Sequence, residues 1–196
     1  MRISTPFRLC RRHLAEFRRD RRGIAATEFA VIVPLMLVLF FGVVEFSTGL
    51  AVDRKVTLVA RTLSDLVSQN TSATDTQFAN FFNAGIAVMS QYAVAPYSAT
   101  TLRSTISELY VDPNTHTAKV QWSKGDAVRA TGSAVTIPTA LNVDGTYLIF
   151  SEVNYRYTPT VGYVMAPSGV NLSDVAYTRP RQSSCVLYNT TVCPTN

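Results

Sequence analysis

Hydrophobic positions divide the chain into an apolar stretch, an amphipathic continuation and a region of alternating residues. From Ile24 to Val44 the only charged side chain is Glu28. At about 1.5 Å per residue, a helix of this length spans roughly 30 Å, the thickness of a bilayer core. Beyond this stretch the apolar residues recur at steps of three and four, which predicts that the helix continues to about Gln69. These residues are Val56, Val59, Leu63 and Leu66.

A second helix is predicted after a break at Asn70–Thr74. Thr74 and Gln77 have the spacing of a capping box, and an amphipathic stripe of about four turns follows until Pro96. The stripe consists of Phe78, Phe82, Ile86 and Met89. In the first helix Pro34 predicts a kink, because proline removes a backbone donor and crowds the preceding turn.

From about Thr105 onward the apolar period is two, which predicts strands. Residues 105–111 and 117–123 flank a turn at 112–115 and form a predicted hairpin, with Ala118, Val120 and Trp122 expected on one face. Residues 147–157 predict a longer antiparallel strand covered on one side. Shorter strands are predicted near Val161–Met165 and Val175–Thr178.

The predicted fold class is α+β and pilin-like, with a long N-terminal helix, a short second helix and a small antiparallel sheet. The expected segments are a basic leader at 1–23, a transmembrane helix at 24–44, its amphipathic extension at 45–69 and an α+β domain at 70–196 with a C-terminal cysteine loop.

Charge is concentrated at the N-terminus. Residues 1–22 contain eight arginines and two acidic residues, whereas the remainder contains ten basic and eleven acidic residues. A nearly neutral body argues against a nucleic-acid-binding domain. Arginines beside an apolar span favour the cytoplasmic side, so the sequence predicts a single-pass membrane protein with a cytoplasmic N-terminus, in which everything after about Val44 is exported.

The cysteines agree with this orientation. Cys10 falls on the predicted reducing side, where a free thiol is expected. Cys185 and Cys193 fall on the oxidising side and are close in sequence, so we expect a disulfide between them. Two unpaired thiols remain the alternative, because sequence spacing does not fix the geometry.

Catalytic chemistry is poorly supported by the residue types present. The two histidines are His13, in the leader, and His116, in a predicted turn. Neither a histidine-based triad nor a multi-histidine metal site can be built from one exported histidine. We therefore expect no enzyme activity, no cofactor, no metal and no small-molecule substrate.

The junction between the leader and the apolar helix resembles a prepilin cleavage site. Its residues are Arg21-Arg22-Gly23-Ile24-Ala25-Ala26-Thr27-Glu28-Phe29. In type IV pilins a membrane peptidase cuts after the glycine, and the mature chain carries glutamate at its fifth position. A cut between Gly23 and Ile24 places Glu28 there, followed by the aromatic Phe29. The resemblance implies that Glu28 pairs with the terminal amine of a neighbouring subunit.

The resemblance extends over about residues 21–69 to the TadE-like family of the tight-adherence (Tad, Flp pilus) system. Its distinctive features are Pro34, six residues after Glu28, and a second acidic-aromatic pair at Glu45-Phe46. Family membership implies a non-enzymatic minor pseudopilin that supports adhesion and biofilm formation. The implied partners are the membrane, a prepilin peptidase, other pilins and pseudopilins, and Tad inner-membrane assembly proteins. The motif leaves TadE and TadF types open.

Three alternatives remain at this stage, one of which is a membrane-tethered enzyme with an unfamiliar site. Glu28 could be satisfied by snorkelling toward Arg21, which lies seven residues earlier in the sequence. The first 50 residues could also be a signal peptide cut near Gly49-Leu50-Ala51, which would release or anchor a periplasmic binding module.

Overall fold

The computed structural model describes residues 22–90, 102–159, 169–189 and 193. The chain divides into two units between Val44 and Glu45. Helix α1, Arg22–Ser68, supplies the described part of the first unit and continues into the second. Its observed ends lie within two residues of the predicted ends.

The first part of α1 is exposed and apolar. By length and composition, the segment Gly23–Ser68 contains a helix that could cross a membrane. Phe29, Leu35 and Phe40 are each more than 60% exposed within their unit, as expected for side chains that do not belong to a protein core. Pro34 lies inside α1, and the helix continues beyond it. A bend at this residue stays a prediction.

The later part of α1 forms one wall of the domain core. Its buried apolar residues are Val52, Val56, Val59, Ala60, Leu63 and Val67. Each fully buried valine or leucine contributes about 1.5–3 kcal/mol relative to an exposed one. The amphipathic pattern therefore identified a helix face that packs inside the domain.

Helix α2, Asp75–Ser90, begins with the predicted capping box. The backbone N–H of Thr74 donates to Oε1 of Gln77 at 2.8 Å, and the N–H of Gln77 donates to Oγ1 of Thr74 at 3.4 Å. These reciprocal bonds satisfy donors that have no partner within the first turn. The predicted end at Pro96 lies outside the described residues.

The domain contains a five-stranded antiparallel sheet, which confirms the α+β class. Its members are β2 (Leu102–Asp112), β3 (Thr117–Gly125), β4 (Ala134–Val135), β5 (Tyr147–Tyr157) and β6 (Val170–Thr178), in the spatial order β4-β3-β2-β5-β6. The hairpin and the long strand follow the prediction. Strand β6 begins five residues earlier than the predicted Val175–Thr178, and the predicted strand at Val161–Met165 lies outside the described residues.

A register shift in the β2–β3 hairpin corrects one prediction. Glu108 pairs with Trp122, but the next residue, Leu109, pairs with Val120. The extra residue in β3 reverses the alternation, as in a β-bulge. Trp122 therefore packs with the helix-side core, whereas Ala118 and Val120 pack on the opposite side of the sheet. The expectation that the three share one face is wrong for Trp122.

The sheet is also covered on both faces along part of β5. Tyr147 through Ser151 are all buried, so the expectation of one covered side is wrong for this half of the strand. Helices α1 and α2 contribute to the core on one face. On the other face Leu148 and Phe150 pack with partly buried Ile137 and Leu141, which belong to the connection between β3 and β5.

The C-terminal segment is attached to the helices. A two-residue strand, β7 (Leu187–Tyr188), pairs in parallel with β1 (Ser72–Ala73) in the connection between α1 and α2. The backbone N–H of Arg181 donates to the carbonyl of Ser68 at 2.8 Å. Cys185 and Cys193 form a disulfide with a Cα–Cα distance of 5.9 Å, a normal separation for such a bond.

Candidate membrane anchor and processing segment

The four residues predicted to form the processing site lie together in the first two turns of α1. Gly23, Ile24, Glu28 and Phe29 are all exposed, with Ile24 and Phe29 at 51% and 68%. The helix begins at Arg22, so the Gly23–Ile24 peptide bond belongs to its first turn. The first four N–H groups of a helix have no intrahelical partner.

Gly23 has no packing role in the described part of the chain. A Cβ atom built at this position would meet no atom within 4 Å. Glycine destabilises a helix by about 1 kcal/mol relative to alanine. Among the described residues, no neighbouring atom requires glycine at this position.

Glu28 lies one helical turn after Ile24, so both side chains emerge on the same side of α1. Between them Thr27 donates from Oγ1 to the Ile24 carbonyl at 2.8 Å. The Thr27 hydroxyl is thereby satisfied within the helix. The Glu28 carboxylate is the charged group in an otherwise apolar stretch, and its solvation must come from water, headgroups or a partner.

Comparison with known proteins identifies this segment. Residues 23–64 match the family model of TadE-like proteins. The match confirms the family that the sequence resembles. No curated protein and no solved structure gives a significant match to the chain.

The TadE-like segment covers both the exposed apolar helix and part of the domain's core helix. It begins at Gly23 and ends after Leu63, which is fully buried in the domain. The family is a pilus-associated one, and an N-terminal apolar helix fits this assignment. The remaining domain, from residue 65 onward, lies outside the match.

Glu45 shows that the second acidic-aromatic pair of the TadE-like segment differs from the first. Glu28 and Phe29 are both exposed, whereas Glu45 is only 4% exposed and Phe46 is 62% exposed. Glu45 is also the first residue of the second unit. The two acidic residues therefore occupy different environments, although their sequence contexts are similar.

Candidate catalytic and metal-binding residues do not converge in the described residues. His116 contacts Oδ1 of Asp144 through Nδ1 at 2.8 Å, on the surface beside the β2–β3 turn. No group of three or more histidine, cysteine, aspartate or glutamate residues that could hold a metal occurs in the part of the chain described. Asp112 and Asp126 accept backbone N–H groups at 2.9 Å and 2.8 Å, as expected for acidic residues near turns.

The most unusual group in the domain, Glu108 on β2, was not singled out by the sequence. Its side chain is fully buried and Oε1 accepts the N–H of Val186 at 2.6 Å. Burial raises the pKa of Glu108 to about 8, although hydrogen bonds from Val186 and the Trp122 indole act in the opposite direction. The alternation of Ile106, Glu108 and Tyr110 along β2 could have revealed an acid on the inward side.

Proposed function

We propose that this chain is a non-enzymatic minor pseudopilin that helps to assemble a Tad (Flp) pilus. It is anchored in the bacterial inner membrane by α1, with the N-terminus cytoplasmic and the domain periplasmic. A prepilin peptidase cuts between Gly23 and Ile24. The mature subunit then joins other pilins and Tad assembly proteins through its N-terminal helix and supports surface adhesion and biofilm formation.

The observation that carries this proposal is the coincidence of the TadE-like match with the geometry at its start. The match begins at Gly23, the residue after which the cut is proposed. Ile24, Glu28 and Phe29 are exposed on the helix that follows. An exposed carboxylate one turn from a new terminal amine gives a neighbouring subunit a cation–anion pair that would be favourable in an apolar environment.

The size of the domain supports an accessory role over that of the bulk filament subunit. Residues beyond Val44 build a domain with two hydrophobic clusters and a five-stranded sheet. Major pilins of the family that the sequence resembles are far shorter. A subunit with this much folded surface is suited to present contacts to other assembly components.

The mature N-terminus tests the proposal. The chain is recovered from membranes of cells with and without the prepilin peptidase, and its N-terminus is sequenced. We expect Ile24 when the peptidase is present and the intact leader when it is absent. Retention of the leader in cells with an active peptidase would refute processing. A product that begins near Val52 would instead indicate a signal peptide.

Glu28→Ala separates cleavage from assembly. We expect this variant to be cut at nearly the normal level but to lose piliation, because the carboxylate acts after the amine of Ile24 has been exposed. Thr27→Ala is the matched control, since it changes the adjacent exposed residue without removing charge. Pili are counted by electron microscopy of sheared fractions. Normal piliation in Glu28→Ala cells would exclude the proposed pairing.

A further inference from the structure

A shallow apolar groove lies at the start of the domain, on the side where α1 enters it. Its volume is about 180 Å3. One wall consists of α1 residues Phe46, Gly49, Leu50 and Asp53, and the other of Tyr157, Val170 and Leu172. Tyr157 on β5 and Val170 on β6 are register partners in the sheet, so the second wall is part of a rigid element.

Two of the groove's apolar side chains are exposed. Phe46 is 62% exposed and Leu50 is 44% exposed, although both point from a helix whose other face is fully buried in the core. Asp53 is the charged member of the lining. Exposed apolar side chains that are grouped in one groove are available for contact with a partner protein or a membrane.

The groove lies a short distance along α1 from the end of the apolar stretch, which favours lipid as its occupant. Phe46 follows the last residue of the apolar stretch, Val44, by two positions, and Leu50 follows it by six. At about 1.5 Å per residue these positions lie roughly 3 Å and 9 Å beyond the end of the stretch. The headgroup layer adds about 5–8 Å to each side of the hydrocarbon core, so both positions fall in or beside that layer.

The lining residues also suit that layer chemically. Aromatic side chains with a polar end are enriched at membrane–water interfaces, where the ring contacts acyl chains and the hydroxyl reaches water. Of the two rings that line the groove, Tyr157 has a hydroxyl and is largely buried, whereas Phe46 is apolar and exposed. Asp53 lies about 13 Å beyond Val44 along the helix, so the charged end of the groove falls on the water side of that layer.

We propose that this groove is a lipid contact, which seats the membrane-proximal edge of the domain on the outer leaflet and takes up an apolar part of an interfacial lipid. The inference rests on the proposed membrane anchoring of α1. It adds a second membrane contact made by the folded domain, through residues of the sheet as well as of the helix.

The experiment uses the full chain in phosphatidylcholine vesicles that contain lipids with a nitroxide near the headgroup. All proteins carry Cys10→Ser, so that an introduced cysteine is the one free thiol for a fluorescent label while Cys185 and Cys193 stay paired. Leu50→Cys and Leu58→Cys form one matched pair on α1, because both leucines are exposed, at 44% and 50%, and only Leu50 lines the groove.

A second pair tests the sheet wall. Val170→Cys places the label in the groove, whereas Val175→Cys places it elsewhere on the same strand, β6. We expect nitroxide quenching to be at least about twofold stronger at residues 50 and 170 than at 58 and 175, because position 58 is about 21 Å beyond Val44 along the helix. Flotation and alkaline washing of the same vesicles show independently whether α1 anchors the chain in the membrane.

The outcomes separate the two ideas. A chain that is removed by alkaline washing refutes the anchor. A chain that stays inserted, with residue 170 quenched no more than residue 175, refutes the lipid contact and leaves the anchor intact. A third outcome is that the labels are shielded from water but are not quenched by the nitroxide, and that the shielding is lost on dilution with excess lipid. This outcome would show that a second copy of the chain fills the groove, and it would also overturn the inference.

Discussion

Replacing Glu108 by glutamine measures how strongly one buried acid makes the stability of the domain depend on pH. The native carboxyl is fully buried on β2, next to the C-terminal segment that carries Val186. Oε2 has no hydrogen-bond partner among the described residues. Desolvation of the charged form is the largest cause of the raised pKa of about 8. The native state therefore favours the protonated, neutral acid.

The sign of the effect follows from comparing the two states. Below about pH 4.5 both the folded and the unfolded chain hold this proton, and the contribution of Glu108 to stability is fully present. Between pH 4.5 and about 8 only the folded chain holds it, so the free energy of unfolding falls as pH rises. Over the whole interval the free energy of unfolding falls by roughly 5 kcal/mol, because a pKa difference of one unit corresponds to about 1.36 kcal/mol.

Glutamine keeps the side-chain shape and a carbonyl oxygen for the Val186 N–H but has no charged form. We expect Glu108→Gln to abolish most of the decline between pH 5 and pH 8, and to be more stable than the parent by a few kcal/mol at pH 8. At pH 5 the two proteins should differ by less than about 1 kcal/mol, since the parent is then neutral too.

The assay is denaturant unfolding of the full chain in detergent at several pH values. Trp122, the single tryptophan of the chain, is buried and its Nε1 donates to the Val186 carbonyl at 2.8 Å, so its fluorescence reports this region. Every protein also carries His13→Asn and His116→Asn, so that the chain contains no histidine.

Glu152→Gln is the matched control, because it makes the same chemical change in a glutamate of the neighbouring strand that pairs with Arg129 at 2.6 Å. The control should lose stability and keep the pH-dependent decline. A parent whose stability is constant or rises between pH 5 and pH 8 would refute the reasoning. So would a Glu108→Gln protein that is less stable than the parent at pH 8.

Two further predictions concern the backbone and the disulfide. Gly125→Ala should destabilise the domain by more than about 3 kcal/mol, because a Cβ there would lie 2.1 Å from the Ser104 carbonyl oxygen at a φ of +130°. Gly132 has a φ of +81° and open space around it, so Gly132→Ala should lower the free energy of unfolding by only about 1 kcal/mol in the same assay. Replacing Cys185 and Cys193 by serine opens a loop with a sequence separation of 8 and should lower the free energy of unfolding by about 2 kcal/mol. Unchanged unfolding midpoints in either case would contradict the respective argument.

Local patterns in the sequence predicted the elements that depend on neighbouring residues. The capping box at Thr74 and Gln77 placed the start of α2, because its two hydrogen bonds involve residues only three positions apart. The turn at 112–115 placed the hairpin for the same reason. The start of α1 followed from the uniform apolar stretch Ile24–Val44, and its end followed from the three- and four-residue spacing of apolar positions beyond that stretch.

Features that depend on distant residues were not predictable from local patterns. The bulge opposite Glu108 moves Trp122 to the helix side, and its sequence has no glycine or proline to mark it. The second hydrophobic cluster includes Ile137 and Leu141, which belong to an irregular connection. Apolar residues in such a connection do not recur at the spacing of a helix or a strand, so the sequence pattern does not reveal them. The pairing of β1 with β7 joins two-residue strands that lie more than a hundred positions apart.

The order in which the chain is made has a consequence for how the domain closes. Ser64 on α1 shares a hydrogen bond of 3.0 Å with Thr178, and the backbone of Arg181 bonds to Ser68. The inner face of α1 emerges early in synthesis, but these final partners emerge more than a hundred residues later. Until then Val56 and Leu63 lack the C-terminal members of their hydrophobic cluster, such as Val186. The inner face of α1 therefore stays partly exposed until the last strands have been synthesised.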